Sequence, residues 1–221
     1  MKTHPDTEDT SLYDAILDDI YDGKLVGGQR LKVSELAERF GVSTSPIREI
    51  LRRMQGEGFV EIHTNRGATV KATDAGSIQN IFEILQMLEP YFVMWFADYA
   101  LPEQLDELEE IQARIRETPH SEQRQFRRLD FQFHEMFCRG HYNQTAAEIW
   151  RNLRTSLNVQ AARLRITPAR YEMIKEEHDE LIAAFRANDT SRADTVIRKH
   201  VDGSFVQMSQ QIRALGLNAG R

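Results

Sequence analysis

Residues 31–70 read LKVSELAERFGVSTSPIREILRRMQGEGFVEIHTNRGATV, and this stretch decides the fold. The segment VSELAERFG predicts a short helix stopped by Gly41. The next helix opens at Ser43, a residue type that caps helices, and carries Pro46 in its first turn. Ile47, Ile50, Leu51 and Met54 then share one face, and Gly56 and Gly58 end the helix. FVEIH and ATVKA predict short strands around TNRG, a tight hairpin. Two short helices joined by FGVSTS and followed by a hairpin describe a winged helix-turn-helix.

Upstream, residues 1–10 are polar and are expected to form a disordered arm. From Ser11, the residues Leu12, Ile16, Leu17 and Ile20 repeat at helical spacing up to Gly23. GKLVGGQRL is read as a loop. After Lys71 the pattern changes. TDAGSIQNIFEILQMLEPYFVMWFADYA is one long helical pattern, with Pro90 expected to kink it. PEQLDELEEIQARIRET places Leu105, Leu108, Ile111 and Ile115 on one stripe. Three or four more helices follow, punctuated by Pro119, Gly140, Pro168 and ANDT at 187–190. No convincing strand follows residue 72. The fold expected is mainly α: a winged domain over 11–72, then an all-α antiparallel bundle over 73–221.

Composition sets the outer bounds. The chain has 221 residues, 41% hydrophobic and 28% charged, which is an ordinary globular mix. A net charge of −6 argues against a surface coated with basic residues, but nucleic-acid binding depends on where the positive charge sits. One cysteine, Cys138, allows no intrachain disulfide. The N-terminus lacks the apolar core of a signal peptide, and the apolar run YFVMWFADYAL is too short to span a bilayer. A cytoplasmic protein with no membrane partner is expected.

In a winged helix-turn-helix the second helix enters the DNA major groove, and the hairpin reaches backbone or minor groove. The charges agree locally. Arg48 and Arg52 lie one turn apart on the recognition helix, and Arg66 is at the hairpin tip. Ser43, Thr44 and Ser45 can donate to phosphates beside the free N–H groups of the helix start. Arg48 is the candidate for a bidentate contact to guanine. The bland alternative is a small domain with a charged, solvated helix.

Residues 31–70 resemble the DNA-binding domain of the GntR family of bacterial transcription regulators. The shared frame is L-A-x-x-x-G-V-S-x-x-P-[VI]-R-E-x-L-x-x-[ML]-x-x-E-G-[FL]-V, followed by N-R-G. The resemblance implies that Arg48 and Ser43–Ser45 contact the major groove, and that the tip formed by Asn65, Arg66 and Gly67 approaches the minor groove. Relatives usually carry Arg where this chain has Thr44, and often Ser-Glu at Lys32-Val33. The first departure suggests an operator different from the commonest type.

The bundle carries its own signal. Asp130 and His134 are four apart, so they share a helix face, about 6 Å apart along the axis. Phe126, Phe133 and Phe137 share that face, so it points inward. His178 lies among Ile174, Leu181, Ile182 and Phe185, and His200 follows Val196 and Ile197. One carboxylate and three imidazoles on inward faces match a transition-metal site of the kind built between bundle helices. They also match core histidines bonded to backbone carbonyls, with Asp130 neutralised by Arg127 or Arg128. Burying four such groups unpartnered would be costly. Cys138 could add a fifth ligand, or pack as a small apolar residue.

LDFQFHEMF, EEHDELIAAFRAND and ADTVIRKHVDGS resemble the three histidine-bearing helices of the FCD ligand-binding domain of the FadR subfamily, in its six-helix variant. The resemblance implies a divalent metal on Asp130, His134, His178 and His200. Zinc is favoured, with nickel, manganese and cobalt as alternatives. It also implies a small organic acid as effector, a homodimer on a palindromic double-stranded DNA operator, and a repressor released by that acid. Relatives often have Arg where this chain has Gln86, so Gln86, Asn158 and Arg163 are the candidate effector contacts. The competing classes are a metal-dependent hydrolase and a direct metal sensor. The local HEMFC is not an HExxH motif, and no nucleophile or phosphate-loop motif is found, so no enzyme is expected.

Overall fold

The computed structural model describes residues 5–21, 24–63 and 67–216. Among these are nine α-helices, one 3-10 turn and a three-stranded antiparallel sheet. The chain divides into two compact units: residues 1–73 with 156–163, and residues 74–155 with 164–221.

The first unit begins with α1 (Pro5–Tyr21), β1 (Arg30–Leu31), α2 (Val33–Phe40) and α3 (Thr44–Gly56). It is completed by β2 (Val60–His63) and β3 (Gly67–Val70). Helix α1 corrects the expected arm: residues 5–10 are helical, and residues 1–4 lie outside the described residues. Polarity alone had suggested an arm, but Pro5 has no N–H to lose at a helix start and its fixed φ suits the first turn. Tyr13, Ile16 and Ile20 of α1 are buried with Ile47, Ile50, Leu51 and Met54 of α3 in one core. Gly41 ends α2 in the left-handed region at φ 68°, its N–H bonding back to Ala37 and Glu38 carbonyls. Ser43 holds the N-cap position of α3, yet its hydroxyl makes no cap bond and the side chain is exposed.

The sheet order is β1-β3-β2. Strand β1 lies inside the segment read as a loop. Two residues carry no periodicity, and their pairing with Ala68 and Thr69 is set by the hairpin. Gly67 sits at φ 81°, and a Cβ there would lie 2.7 Å from the Leu31 carbonyl oxygen. The glycine is therefore required by the close approach of β1 as well as by its backbone angle.

The second unit is helical. It comprises α4 (Ala75–Tyr99), α5 (Pro102–Glu117), α6 (Gln123–Arg139), most of α7 (Gln144–Gln160), α8 (Pro168–Arg186) and α9 (Thr190–Ala214). Asp74 caps α4 by accepting from the Ser77 N–H at 2.7 Å. Helix α4 continues through buried Pro90. Asn188 supplies the left-handed residue between α8 and α9, at φ 51°, where asparagine is tolerated. Helix α9 packs along α4 and α8, and α5 along α6 and α8. The division is not the single cut expected at 72–73. The last turn of α7 and the 3-10 turn Ala161–Arg163 group with the winged unit, with Val159 in its core.

Candidate metal centre and nucleic-acid interface

Asp130 and His134 on α6, His178 on α8 and His200 on α9 converge, each offering a donor atom within 4.8 Å of the others. The three imidazoles are buried, whereas the Asp130 side chain is 20% exposed. His178 Nε2 lies 3.6 Å and His134 Nε2 3.9 Å from Asp130 Oδ1. The Nε2 atoms of His134 and His200 are 3.2 Å apart.

The other ring nitrogens fix the tautomers. His134 Nδ1 lies 3.1 Å from Glu89 Oε2, and His200 Nδ1 lies 3.0 Å from Glu177 Oε2. His178 Nδ1 lies 3.2 Å from Gln112 Oε1. Gln112 Nε2 donates to the Lys175 carbonyl and to Asp179 Oδ1, both at 2.9 Å, so its oxygen faces the histidine. Carboxylates and an amide oxygen only accept, so every Nδ1 carries the proton and every Nε2 turns a lone pair inward. Burial, first of all, holds all three histidines well below the ordinary pKa, in the neutral form a metal requires. Burial likewise raises Asp130, against the pull of Arg154.

Facing lone pairs repel, and His178 Nε2 is buried with no hydrogen-bond partner among the described residues. An ion among the four donors would remove both costs, so the residues fit a divalent metal. The core-histidine alternative expects bonds to backbone carbonyls, and among the described residues no such bond to these three rings is found. Cys138 stands outside the cluster. Its buried thiol donates to the Glu135 carbonyl at 3.4 Å and is pushed up to about 12 by burial.

The winged unit presents a basic groove lined by Arg30, Lys32, Thr44, Arg48, Arg52 and His63. Thr44, Ser45 and Arg48 are exposed at the start of α3, beside Ser43. Arg48 makes no ion pair among the described residues, whereas Arg52 leans on Glu49 at 3.4 Å and Lys32 is held by Glu35 at 2.5 Å. Gly67 also borders this groove. Asn65 and Arg66 lie outside the described residues.

The profile of bacterial regulatory proteins of the gntR family matches residues 9–70, and that of the FCD domain matches residues 80–203. The chain belongs to the GntR family and carries an FCD domain. This family is one of regulators, not of enzymes. The chain is similar to YdhC, an uncharacterized HTH-type transcriptional regulator of Bacillus subtilis, at 30% identity over 127 residues. That match covers 57% of each chain, so this chain spans little more than half of that relative. It is also similar to the HTH-type transcriptional repressor GlaR of Escherichia coli K12, at 26% identity over 86% of this chain and 90% of GlaR. Among solved structures, E. coli McbR/YncC shares the fold with a TM-score of 0.81, at 20% identity over 92% of this chain and 97% of that one. Among the described residues, no helix is long and apolar enough to cross a membrane.

Within the FCD domain, Gln86 does not stand free: its amide donates to Asp202 Oδ1 at 2.6 Å. Asn158 is half-buried in the segment that groups with the winged unit, and the side chain of Arg163 lies outside the described residues. The sequence reading missed the residues that orient the histidines: Glu89, Gln112 and Glu177. It also missed Arg170, whose Nη1 donates to Glu177 Oε2 at 2.9 Å and whose Nη2 donates to the His200 carbonyl at 2.7 Å. Arg170 fits because Gly203 has no Cβ; one would lie 2.7 Å from Arg170 Nη1. Gly203→Ala should therefore push Arg170 off Glu177 and loosen His200. The expected result is metal affinity lower by about 10–100-fold, read by chelator competition, with the secondary structure retained.

Proposed function

We propose that the chain is a ligand-responsive transcription regulator, a cytoplasmic repressor. As a homodimer it binds a palindromic operator and leaves it when a small organic acid binds at a divalent ion, zinc first. The observation that carries this reading is the convergence of three locked imidazole lone pairs and one carboxylate inside an FCD domain. Asp130, His134, His178 and His200 would hold the ion. When bound, the ion supplies a Lewis-acidic point with one or two positions for an acid's oxygens. Glu89, Gln112 and Glu177 keep the imidazoles aimed, and the exposed edge of Asp130 gives the acid its way in.

Operator binding is assigned to the start of α3. Ser43, Thr44 and Ser45 would meet phosphates, and Arg48, with Arg52 behind it, the base edges of the major groove. Asn65, Arg66 and Gly67 would reach the minor groove from the wing. Where relatives have Arg, this chain has Thr44, and Arg30 and Lys32 bring positive charge to the same groove. A second copy finds an apolar stripe on α4, where Ile84, Met87 and Met94 are exposed at helical spacing. Two copies related by a two-fold axis match a palindrome. The acid releases DNA only by binding the two conformations of the protein with different affinity.

The test uses protein purified without a histidine tag. About one divalent ion per chain is expected, and the DNA upstream of the chain's own gene should be retarded in a gel and released by an acid. A metal-free protein that still releases DNA when the same organic acid is added at neutral pH would overturn the reading of the centre.

A further inference from the structure

Among the described residues, Arg154 is the buried side chain of the bundle with two nitrogens that make no hydrogen bond. It lies on α7 one turn after Trp150, with a side chain only 13% exposed. Its Nε and Nη2 atoms are fully buried and donate no hydrogen bond among the described residues. Nε lies 3.3 Å from Glu89 Oε1, without hydrogen-bond alignment, and Nη2 lies 3.8 Å from Asp130 Oδ2. Buried guanidinium N–H groups left unpaired are costly, and arginine is built to hold a carboxylate with two of them.

Glu89 does not need Arg154 to be satisfied. It already accepts from Trp150 Nε1 at 2.8 Å and from His134 Nδ1 at 3.1 Å. Asp130 is used on two sides: Oδ1 faces the imidazoles, and Oδ2 faces Arg154. Nη2 therefore stands beside the four donors, 3.8 Å from Asp130 Oδ2, as a cation with ion-pair neighbours but no hydrogen bond from Nε or Nη2 among the described residues. The charges agree. Asp130, Glu89 and Glu177 are set against Arg154, Arg170, Arg127 and Lys199, three carboxylates against four cations. An ion's own charge is then left for the ligand to balance.

We propose that Arg154 is the second anchor of the effector, which is a small acid with two anionic groups, one meeting the ion and the other meeting Arg154. This rests on the reading of the site given under Proposed function. Arg154 then takes the part that Gln86, tied to Asp202, does not. Acids with a single carboxylate fill one anchor only and bind more weakly.

The experiment is calorimetry on zinc-loaded full-length protein with acetate, malonate and succinate, with zinc content measured in parallel. Wild type should bind at least one diacid about tenfold or more tighter than acetate, the worth of one charge-assisted pair. Arg154→Gln should keep its zinc and lose that preference, and Arg154→Lys should keep part of it. Equal binding of acetate and both diacids by wild type overturns the proposal, and so does an undiminished preference in Arg154→Gln. If Arg154→Gln fails to fold or to hold zinc, Arg154→Lys decides: a preference equal to that of wild type overturns the proposal, and a reduced one supports it. Wild type that binds no zinc would instead overturn the underlying reading of the site.

Discussion

His178→Ala should strip the centre of its metal while leaving the bundle folded. His178 is the donor whose inward nitrogen has no hydrogen-bond partner among the described residues, and its ring stacks on Phe133 with centroids 3.9 Å apart. Changes one layer further out cost about 10–100-fold in metal affinity, so loss of a ligand itself should exceed about 100-fold. The stability consequences depend on the ion. Without metal, the substitution removes a desolvated, unpaired nitrogen, a burden of about 1–3 kcal/mol, but also removes the packing of the ring. These effects oppose each other, so the metal-free forms should melt closer together than the metal-loaded ones. With metal in thousandfold excess over its dissociation constant, wild type gains about 4 kcal/mol that the variant does not. Melting curves with and without chelator read this directly. A variant whose melting temperature still drops on chelation would show that the ion sits elsewhere.

How much of this was legible in the sequence depends on whether the signal was local. The α2–α3 pair and the hairpin could be read because Gly41, Pro46, Gly58 and the apolar face of α3 act within a few residues. The four donors could be read because each sits on an inward helical face. Strand β1 could not be read, since its pairing to β3 is a tertiary event with no repeat in the chain. The same holds for residues 156–163, which continue α7 in sequence but group with the winged unit.

The orienting residues left a weaker trace. Gln112 occupies the apolar stripe of α5, between Ile111 and Ile115, and Glu89 lies in the apolar run ILQMLEPYF. Both are polar residues at core positions, a local inconsistency that marks a functional constraint. Which histidine each one serves could not be read without the packing of α4 on α6 and of α5 on α8. Gly203 left no trace, because its role is to make room for an arginine thirty-three positions earlier.

Arg48→Ala should abolish specific operator binding while leaving metal content and melting temperature unchanged. The side chain is exposed, forms no ion pair among the described residues, and stands on a helix where alanine is the best former. The fold therefore loses nothing with it. A bidentate contact to guanine is worth about 1–3 kcal/mol, and a dimer on a palindrome loses it twice, so affinity should fall by about 30-fold to more than 10,000-fold. Arg52→Ala should cost less, since Arg52 lies a turn further from the helix start and is already drawn to Glu49. Titrations at two salt concentrations separate the roles. A base contact weakens the operator more than random DNA, whereas a phosphate contact weakens both and lowers the salt slope by about one. If Arg48→Ala bound the operator as wild type does and Arg52→Ala did not, the base contact would lie a turn further along the same face of α3. The roles of Ser43, Thr44 and Ser45 at the helix start would then have to be reassigned with it.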